Sequence, residues 1–250
     1  MKKLVSIITP MYNAEKYIEE TIKSVLSQTY KNFEMIIVDD MSTDNSKEII
    51  KKYRRLDKRI KYIKNNKNEG AGVSRNVAIK KSKGEYIAFL DSDDLWRENK
   101  LQNQIEFMEK NNLVMSHGNY YFIYENRKEK SKIVKTSKKI SYNLLLKGNQ
   151  FKTMTVILKR ELAEKVKFLG EKHEDYIYFL QILKLIDYSL GQEEEINSYC
   201  RIRKNSVSSN KLRSALWTWK VYRDYEKLSR TKSLYYFVNY IYYGLKKHKF

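Results

Sequence analysis

An α/β fold, a mostly parallel sheet with helices on both faces, is predicted by two features of the first hundred residues. Four short apolar segments recur there, LVSIIT (4–9), FEMIIVD (33–39), IKYIK (60–64) and YIAFL (86–90), and each of the first three precedes a stretch with helical spacing. A parallel crossover needs a helix-length connection, so this rhythm selects a parallel sheet. With 250 residues, 42% of them hydrophobic, the chain has enough material for one domain with a sizeable core, or for one domain carrying an appended helical piece.

Each element has a local reason. The opening MKKLVSIITPMYN sets two lysines before an apolar run, but the run is too short for a signal peptide and has no small-residue cleavage site, so it reads as the first strand. Asn13 is expected to cap AEKYIEETIKSVLSQ, which places Tyr17, Ile18, Thr21, Ile22, Val25 and Leu26 on one face. Asp44 or Asn45 is expected to cap NSKEIIKKYRRL, and GVSRNVAIKKSKG runs to Gly84 as a stop. Beyond residue 100, RENKLQNQIEFMEKNN reads as a helix, LVMSHGNYYFIYENR as one or two strands, and KEKSKIVKTSKKI as a basic loop or edge hairpin. TMTVILKREL reads as a strand entering a helix, HEDYIYFLQILKLI as an amphipathic helix, EEEINSYCRIR as a turn and a strand, and 211–250 as two helices.

One cysteine, Cys200, excludes an internal disulfide and a Cys-rich zinc site, and agrees with a reducing, cytoplasmic setting. Three scattered histidines form no metal-ligand pair, so His117 and His173 read as polar surface or edge residues, and any metal is expected to be held by oxygen. No stretch reaches the roughly 20 apolar residues that span a bilayer. The net charge of +20 is uneven: from Arg201 onward there are 13 Lys and Arg against two acids. An anionic partner follows, whether nucleic acid, anionic lipid or a phosphorylated substrate.

Ligands on open parallel sheets bind beyond the carboxyl ends of the strands. That rule gathers three polar clusters into one crevice: TPMYN after the first strand, DDMSTD after the second and DSDD after the fourth. Asp91, Asp93 and Asp94 suit a hard divalent cation, Mg2+ or Mn2+, with positions left open for a diphosphate; alternatively Ser92 or Asp94 caps the following helix. Asp39 and Asp40 can accept from a nucleobase NH or a ribose hydroxyl. Thr9, Pro10 and Tyr12 form a short loop with an aromatic face, and Arg75 in NEGAGVSRN sits at a helix start suited to a phosphate.

The set SIITPMYNAEKYIEETIKSVLSQTY, FEMIIVDDMSTDNS, NEGAGVSRNVAI, GEYIAFLDSDD and HEDYIYFL resembles family 2 glycosyltransferases, inverting enzymes with a GT-A nucleotide-diphospho-sugar fold. The likeness is close over residues 3 to about 100 and looser to about 210. It implies a catalytic domain over 1–210, with a nucleotide-binding half (1–100) and an acceptor-binding half (101–210), followed by C-terminal helices (211–250). By the same resemblance, Thr9, Pro10 and Tyr12 border a uridine, Asp40 with Asp39 binds the uracil, Arg75 lies near base and phosphates, and Asp91 and Ser92 lie near the ribose. Asp93, with Asp91, holds Mn2+ or Mg2+, and Asp94 is the adjacent acid. Glu174 and Asp175 match a glutamate-aspartate pair whose aspartate is the general base. Many members carry a histidine near the diphosphate where this chain has Arg203, and Arg201, Arg203 and Lys204 are expected to neutralise the diphosphate and to lessen reliance on the metal.

The expected reaction is inverting transfer from a UDP-sugar to a saccharide acceptor, lipid-linked in the bacterial surface-polysaccharide members this chain resembles. Two alternatives are weaker. A nucleic-acid-binding protein lacks any reading motif here, and a nucleotidyltransferase needs a Gly-rich triphosphate loop that TPMYNAEK does not provide. The tail SLYYFVNYIYYGLKKHKF has two readings that can both hold: peripheral contact at the inner face of the cytoplasmic membrane, and a terminal helix packed on the domain.

Overall fold

The computed structural model describes residues 2–124, 130–170, 173–202 and 211–248. Strands β1 (Val5–Met11), β2 (Phe33–Asp39), β3 (Ile60–Lys64) and β4 (Tyr86–Phe89) alternate with helices α1 (Ile18–Leu26), α2 (Ser46–Leu56) and α3 (Gly70–Lys81). Then come β5 (Leu95–Trp96), α4 (Lys100–Lys110), β6 (Met115–Tyr124), β7 (Lys130–Val134), β8 (Lys139–Ile140), α5 (Tyr142–Leu146), β9 (Ile157–Lys159) and α6 (Arg160–Ala163). The chain continues through α7 (Glu174–Leu183), β10 (Ser189–Ile202), α8 (Lys211–Lys220), a π-helical turn (Val221–Tyr225) and α9 (Arg230–His248). The sheet runs β3-β2-β1-β4-β9-β6-β10-β5, with β7 added on β6 and β8 on β10.

β3, β2, β1 and β4 are mutually parallel, so their carboxyl ends share one edge. Alternation along each strand builds two cores. Val5, Ile7, Met35, Ile37, Tyr86 and Ala88 face α1, α2 and α4, whereas Ile8, Ile36, Val38, Ile87 and Phe89 face α3, α5 and α7. Burial on both faces is why these strands read as continuous apolar runs.

Several local expectations are corrected. Asn13 does not cap α1: it takes a left-handed φ of 47°, and its Oδ1 accepts from Thr43 N at 2.8 Å. The backbone donors that follow Asn13, ahead of α1, are satisfied across loops, Ala14 N by Ser46 Oγ at 2.9 Å and Glu15 N by Asp44 Oδ2 at 2.9 Å. Nor do Ser92 or Asp94 cap a helix, because β5 intervenes and pairs with β10, and α4 starts only at Lys100. α3 ends at Lys81, short of Gly84. Gly84 serves a close approach, since a Cβ there would lie 2.6 Å from Ser6 N. EEEINSYCRIR forms no turn: it belongs to the long strand β10, whose pairing register with β6 shifts between Gln192 and Ile196.

His117 is fully buried, not a surface residue. Its Nε2 donates to Ser137 O at 2.9 Å, which leaves Nδ1 to accept from Ser189 Oγ at 2.8 Å. Burial pushes its pKa down to about 4. The unfolded chain therefore takes the proton first, so this residue's contribution to stability is full above about pH 6.5 and falls as pH drops toward 4. Urea unfolding is expected to lose about 2 kcal/mol more between pH 7.5 and 5 in the unaltered chain than in His117→Gln. Equal losses in the two proteins would remove His117 as the cause.

Candidate active site

A cavity of about 650 Å³ opens at the carboxyl edge of the parallel strands. Three of the predicted clusters meet there. Pro10 and Tyr12 come from the end of β1, Asp40 from the end of β2, and Asp91, Ser92, Asp93 and Asp94 from the loop after β4. Arg75 of α3 and Glu174 and Asp175 of α7 line the same space.

The acidic loop is held from behind. Thr21 Oγ1 of α1 donates to the carbonyls of Ser92 at 3.1 Å and Asp94 at 3.0 Å. Arg201 N donates to Asp94 Oδ1 at 2.8 Å, and Arg201 Nε to the Asp93 carbonyl at 2.8 Å. Burial, then the charges of Asp93 and Asp91, push the Asp94 pKa well above the usual carboxylate range.

Arg75 joins the two acidic groups. Its side chain is 4% exposed; Nη2 meets Asp91 Oδ1 at 2.7 Å and Nη1 meets Glu174 Oε1 at 3.1 Å. Burial alone would lower its pKa, but Asp91 and Glu174 outweigh burial and raise it. Thr153 Oγ1 donates to Asp91 Oδ2 at 3.1 Å, so both oxygens of Asp91 are engaged. Burial raises the Glu174 pKa, opposed by Arg75 and reinforced by Asp175. Asp175 is positioned through Oδ2, which accepts from Asn149 Nδ2 at 3.3 Å. Gly72 makes room for this arrangement, because a Cβ there would lie 2.5 Å from Leu169 O and 3.1 Å from Glu174 Cγ.

Asp40 is largely committed to the turn into α3: Oδ1 accepts from Asn65 Nδ2 at 2.8 Å and Glu69 N at 3.0 Å, and Oδ2 from Gly70 N at 2.6 Å. A carboxylate has about four acceptor positions, so one stays available on Oδ2. Asp39 and Thr9 lie outside the cavity wall. Asp39 accepts from Ser42 N at 2.8 Å and Tyr62 Oη at 2.6 Å, and the buried Thr9 hydroxyl has no partner among the described residues. Arg201 does not face the cavity as expected: its guanidinium pairs with Glu20 at 2.6 Å and lies 4.9 Å from the Tyr17 ring centroid. Arg203 and Lys204 lie outside the described residues.

The structure adds residues that the sequence reading missed. Lys152 lines the cavity and makes no hydrogen bond or ion pair from its ammonium with a described residue. Burial lowers its pKa, but Cys200, Tyr120, Asp175 and Asp94 together raise it, so the ammonium stays charged within reach of both acidic groups. Ser214 and Trp217 of α8 complete the wall. Trp217 packs edge-on against His173, 5.3 Å between centroids, and His173 holds a left-handed φ of 61° with Nε2 buried and unpartnered among the described residues.

Among the described residues, no three Asp, Glu, His or Cys side chains converge on a cation-sized site. The donor set nevertheless suits Mg2+ or Mn2+ held by one or two carboxylates with a diphosphate on its remaining positions. The charges of Asp93 and Asp91, which with burial hold back ionisation of Asp94, are what such an ion would neutralise.

Glycosyl transferase family 2 matches residues 6–167. The chain belongs to this family. Glu174 and Asp175 lie just beyond the matched span. The Escherichia coli protein WfgD, named UDP-Glc:alpha-D-GlcNAc-diphosphoundecaprenol beta-1,3-glucosyltransferase, is 42% identical over 99% of this chain and 96% of its own. TuaG of Bacillus subtilis, a putative teichuronic acid biosynthesis glycosyltransferase, is 38% identical over 98% of both chains. Staphylococcus aureus TarS in complex with UDP-GlcNAc superposes with a TM-score of 0.73 at 21% identity, covering 96% of this chain and 72% of TarS. The mannosyltransferase PcManGT from Pyrobaculum calidifontis, in complex with GDP-Man and Mn2+, gives 0.66 at 19% identity, covering 90% of this chain and 65% of that one. The fold is that of the GT-A glycosyltransferases, and the chain is a glycosyltransferase.

Proposed function

We propose that this family 2 glycosyltransferase moves a sugar from a UDP-sugar to the saccharide of a lipid-linked acceptor in surface-polysaccharide synthesis, with inversion at the anomeric carbon. One observation carries the reading: a single cavity sets Asp91, Asp93 and Asp94 on one side, Glu174 and Asp175 on another, and the charged Lys152 in reach of both. WfgD, similar along nearly its whole length, is named for UDP-Glc and a diphosphoundecaprenol acceptor, which supports the donor and acceptor classes.

The chemistry follows from the residues. An acceptor hydroxyl attacking C1 loses its proton to Asp175 as the new C–O bond forms, while the bond from C1 to the phosphate oxygen breaks and the electron pair leaves with UDP. A single displacement inverts C1. Glu174 is tied to Arg75 and positions its neighbour, and Asn149 orients Asp175. Lys152 takes the role expected of Arg201, facing the diphosphate. Tyr12, 53% exposed, offers its ring to the base, and Asp40 its remaining acceptor position to the uracil NH. Asp93, with Asp91, is the candidate ligand pair for Mn2+ or Mg2+; when bound, the ion would supply positive charge to the departing diphosphate. An acceptor carried on lipid brings the enzyme to a membrane surface, reached from the cytoplasmic side where UDP-sugars are made.

Calorimetry with UDP, GDP and CDP, with and without Mn2+, tests this reading. UDP is expected to bind preferentially and more tightly with Mn2+. Asp93→Ala is expected to lose the Mn2+ enhancement, and Lys152→Met to weaken UDP about tenfold or more while leaving uridine unchanged. No nucleotide binding under any condition would defeat the reading.

A further inference from the structure

α9 is apolar on two faces, and only one is covered by described residues. On its inner face Phe237 meets Trp219 of α8 edge-on at 5.4 Å, and Tyr236 lies 6.3 Å from Tyr222 and donates to Asn143 Oδ1 at 3.2 Å. This is the packing that the sequence leaves open beside membrane contact. On the outer face Leu234, Val238, Ile241 and Tyr242 are 57, 57, 44 and 60% exposed, and Tyr235 is 54% exposed. At 3.6 residues per turn these five fall in one stripe about 120° wide. A helix that spends only one apolar face on the core leaves the second for something else.

α8, which packs against α9 through Trp219, carries exposed apolar residues of its own. Leu212 and Leu216 are 81 and 66% exposed, one turn apart, and exposed Arg213 and Lys220 fall on the same side of the helix. Residues 227–250 hold six Lys and Arg and no acid, and Arg230 and Lys232 are exposed in the first turn of α9. No helix among the described residues is long and apolar enough to cross a membrane. An exposed apolar stripe flanked only by cations matches the boundary of an anionic bilayer, where rings and aliphatic groups enter the headgroup layer and cations meet phosphates. A second copy of the chain is a poor occupant, because it would set two cationic, acid-free helices against each other.

We propose that α8 and α9 dock this enzyme on an anionic lipid surface through the stripe of Leu212, Leu216, Leu234, Val238, Ile241 and Tyr242. Ser214 and Trp217 of the same helix line the cavity, and Arg213 lies over the Trp217 ring at 5.5 Å from its centroid. Docking therefore brings the cavity wall within about one helix diameter, about 10 Å, of the headgroups. A saccharide joined by a diphosphate to a membrane lipid projects into that layer. The docking stands apart from the transfer reading; its use in reaching the acceptor rests on it.

Vesicle sedimentation tests the docking. The full chain is expected to bind vesicles containing phosphatidylglycerol, to ignore pure phosphatidylcholine, and to release as salt rises. Val238→Glu with Tyr242→Glu is expected to weaken binding about tenfold or more, with circular dichroism and UDP binding unchanged. Leu216→Gln, a milder change on an exposed site, should weaken it in the same direction if the double variant folds poorly. Indifference of the full chain to anionic vesicles, or equal binding by folded variants, overturns the proposal. So does a dimer of the full chain that the variants dissociate without any vesicle binding, which would give the stripe to a second copy. Absence of UDP binding beside intact vesicle binding would sink the transfer reading and spare this one.

Discussion

Asp175→Asn is expected to lower sugar transfer by about 10²- to 10⁴-fold while leaving UDP affinity within about twofold of the unaltered chain. The substitution preserves size and shape, and the amide it introduces can still present a carbonyl oxygen to Asn149 Nδ2, so the contact that positions the side chain survives. What disappears is the capacity to take a proton. The side of the cavity proposed to hold the nucleotide, lined by Tyr12, Asp40, the 91–94 loop and Lys152, is untouched. Initial rates with UDP-sugars and UDP binding, measured on the same preparations, separate the two effects. A large fall in UDP affinity would make Asp175 a structural residue, and a retained rate would move the base elsewhere. Glu174→Gln serves as the contrast: its carboxylate is engaged by Arg75, so it is expected to impair transfer through misplacement of α7 and to lower the unfolding free energy as well.

The sheet was legible in the sequence because its parallel strands are buried on both faces. Ile7 and Ile8, or Ile36 and Ile37, point into opposite cores, and only a continuous apolar run satisfies both. The same logic misled at α7. HEDYIYFLQILKLI reads as amphipathic, yet Tyr176 to Leu180, Ile182 and Leu183 are all buried, since α7 sits deep among Phe89, Phe151, Phe168 and α5. Caps were misread for a related reason. Local propensity assigns Asn13 to α1, but the structure satisfies these backbone donors across two loops about 30 residues apart, which no local pattern displays. In the candidate site Asp40 and the acids of 91–94 stand out because they follow strand ends, whereas Glu174 and Asp175, in the first turn of α7, stand out only through the family resemblance. Lys152, Ser214 and Trp217 carry no motif and reach the cavity only through tertiary packing. The placement of Arg201 is not legible locally, because its partner Glu20 lies 181 residues away.

Arg75→Met is expected to lower the unfolding free energy by about 3–5 kcal/mol, the range for removing one member of a buried ion-paired group. The guanidinium is 4% exposed, and its partners Asp91 and Glu174 are themselves 30 and 23% exposed. Methionine fills much of the volume but strands two carboxylates that water reaches poorly, and both lose a charged hydrogen bond. It also removes the guanidinium from over the Phe168 ring, 5.3 Å from its centroid, so the loss includes that cation–π contact. Arg75→Lys is expected to fall between, because an ammonium retains charge but lacks the fork that spans two partners. Urea unfolding of the three proteins at pH 7 measures this. A difference below about 1 kcal/mol for Arg75→Met would mean the two carboxylates are adequately solvated without their bridge. The bridge also has a functional consequence, because Arg75 is the link holding the 91–94 loop to the first turn of α7. Asp175 is the residue beside Glu174, so the distance between the 91–94 loop, proposed to hold the cation, and the proposed base depends on Arg75. Even at a temperature where Arg75→Lys remains folded, its transfer rate is therefore expected to drop while UDP binding persists. If stability falls in Arg75→Lys and the rate of the folded fraction does not, the bridge holds the fold without setting the geometry of transfer.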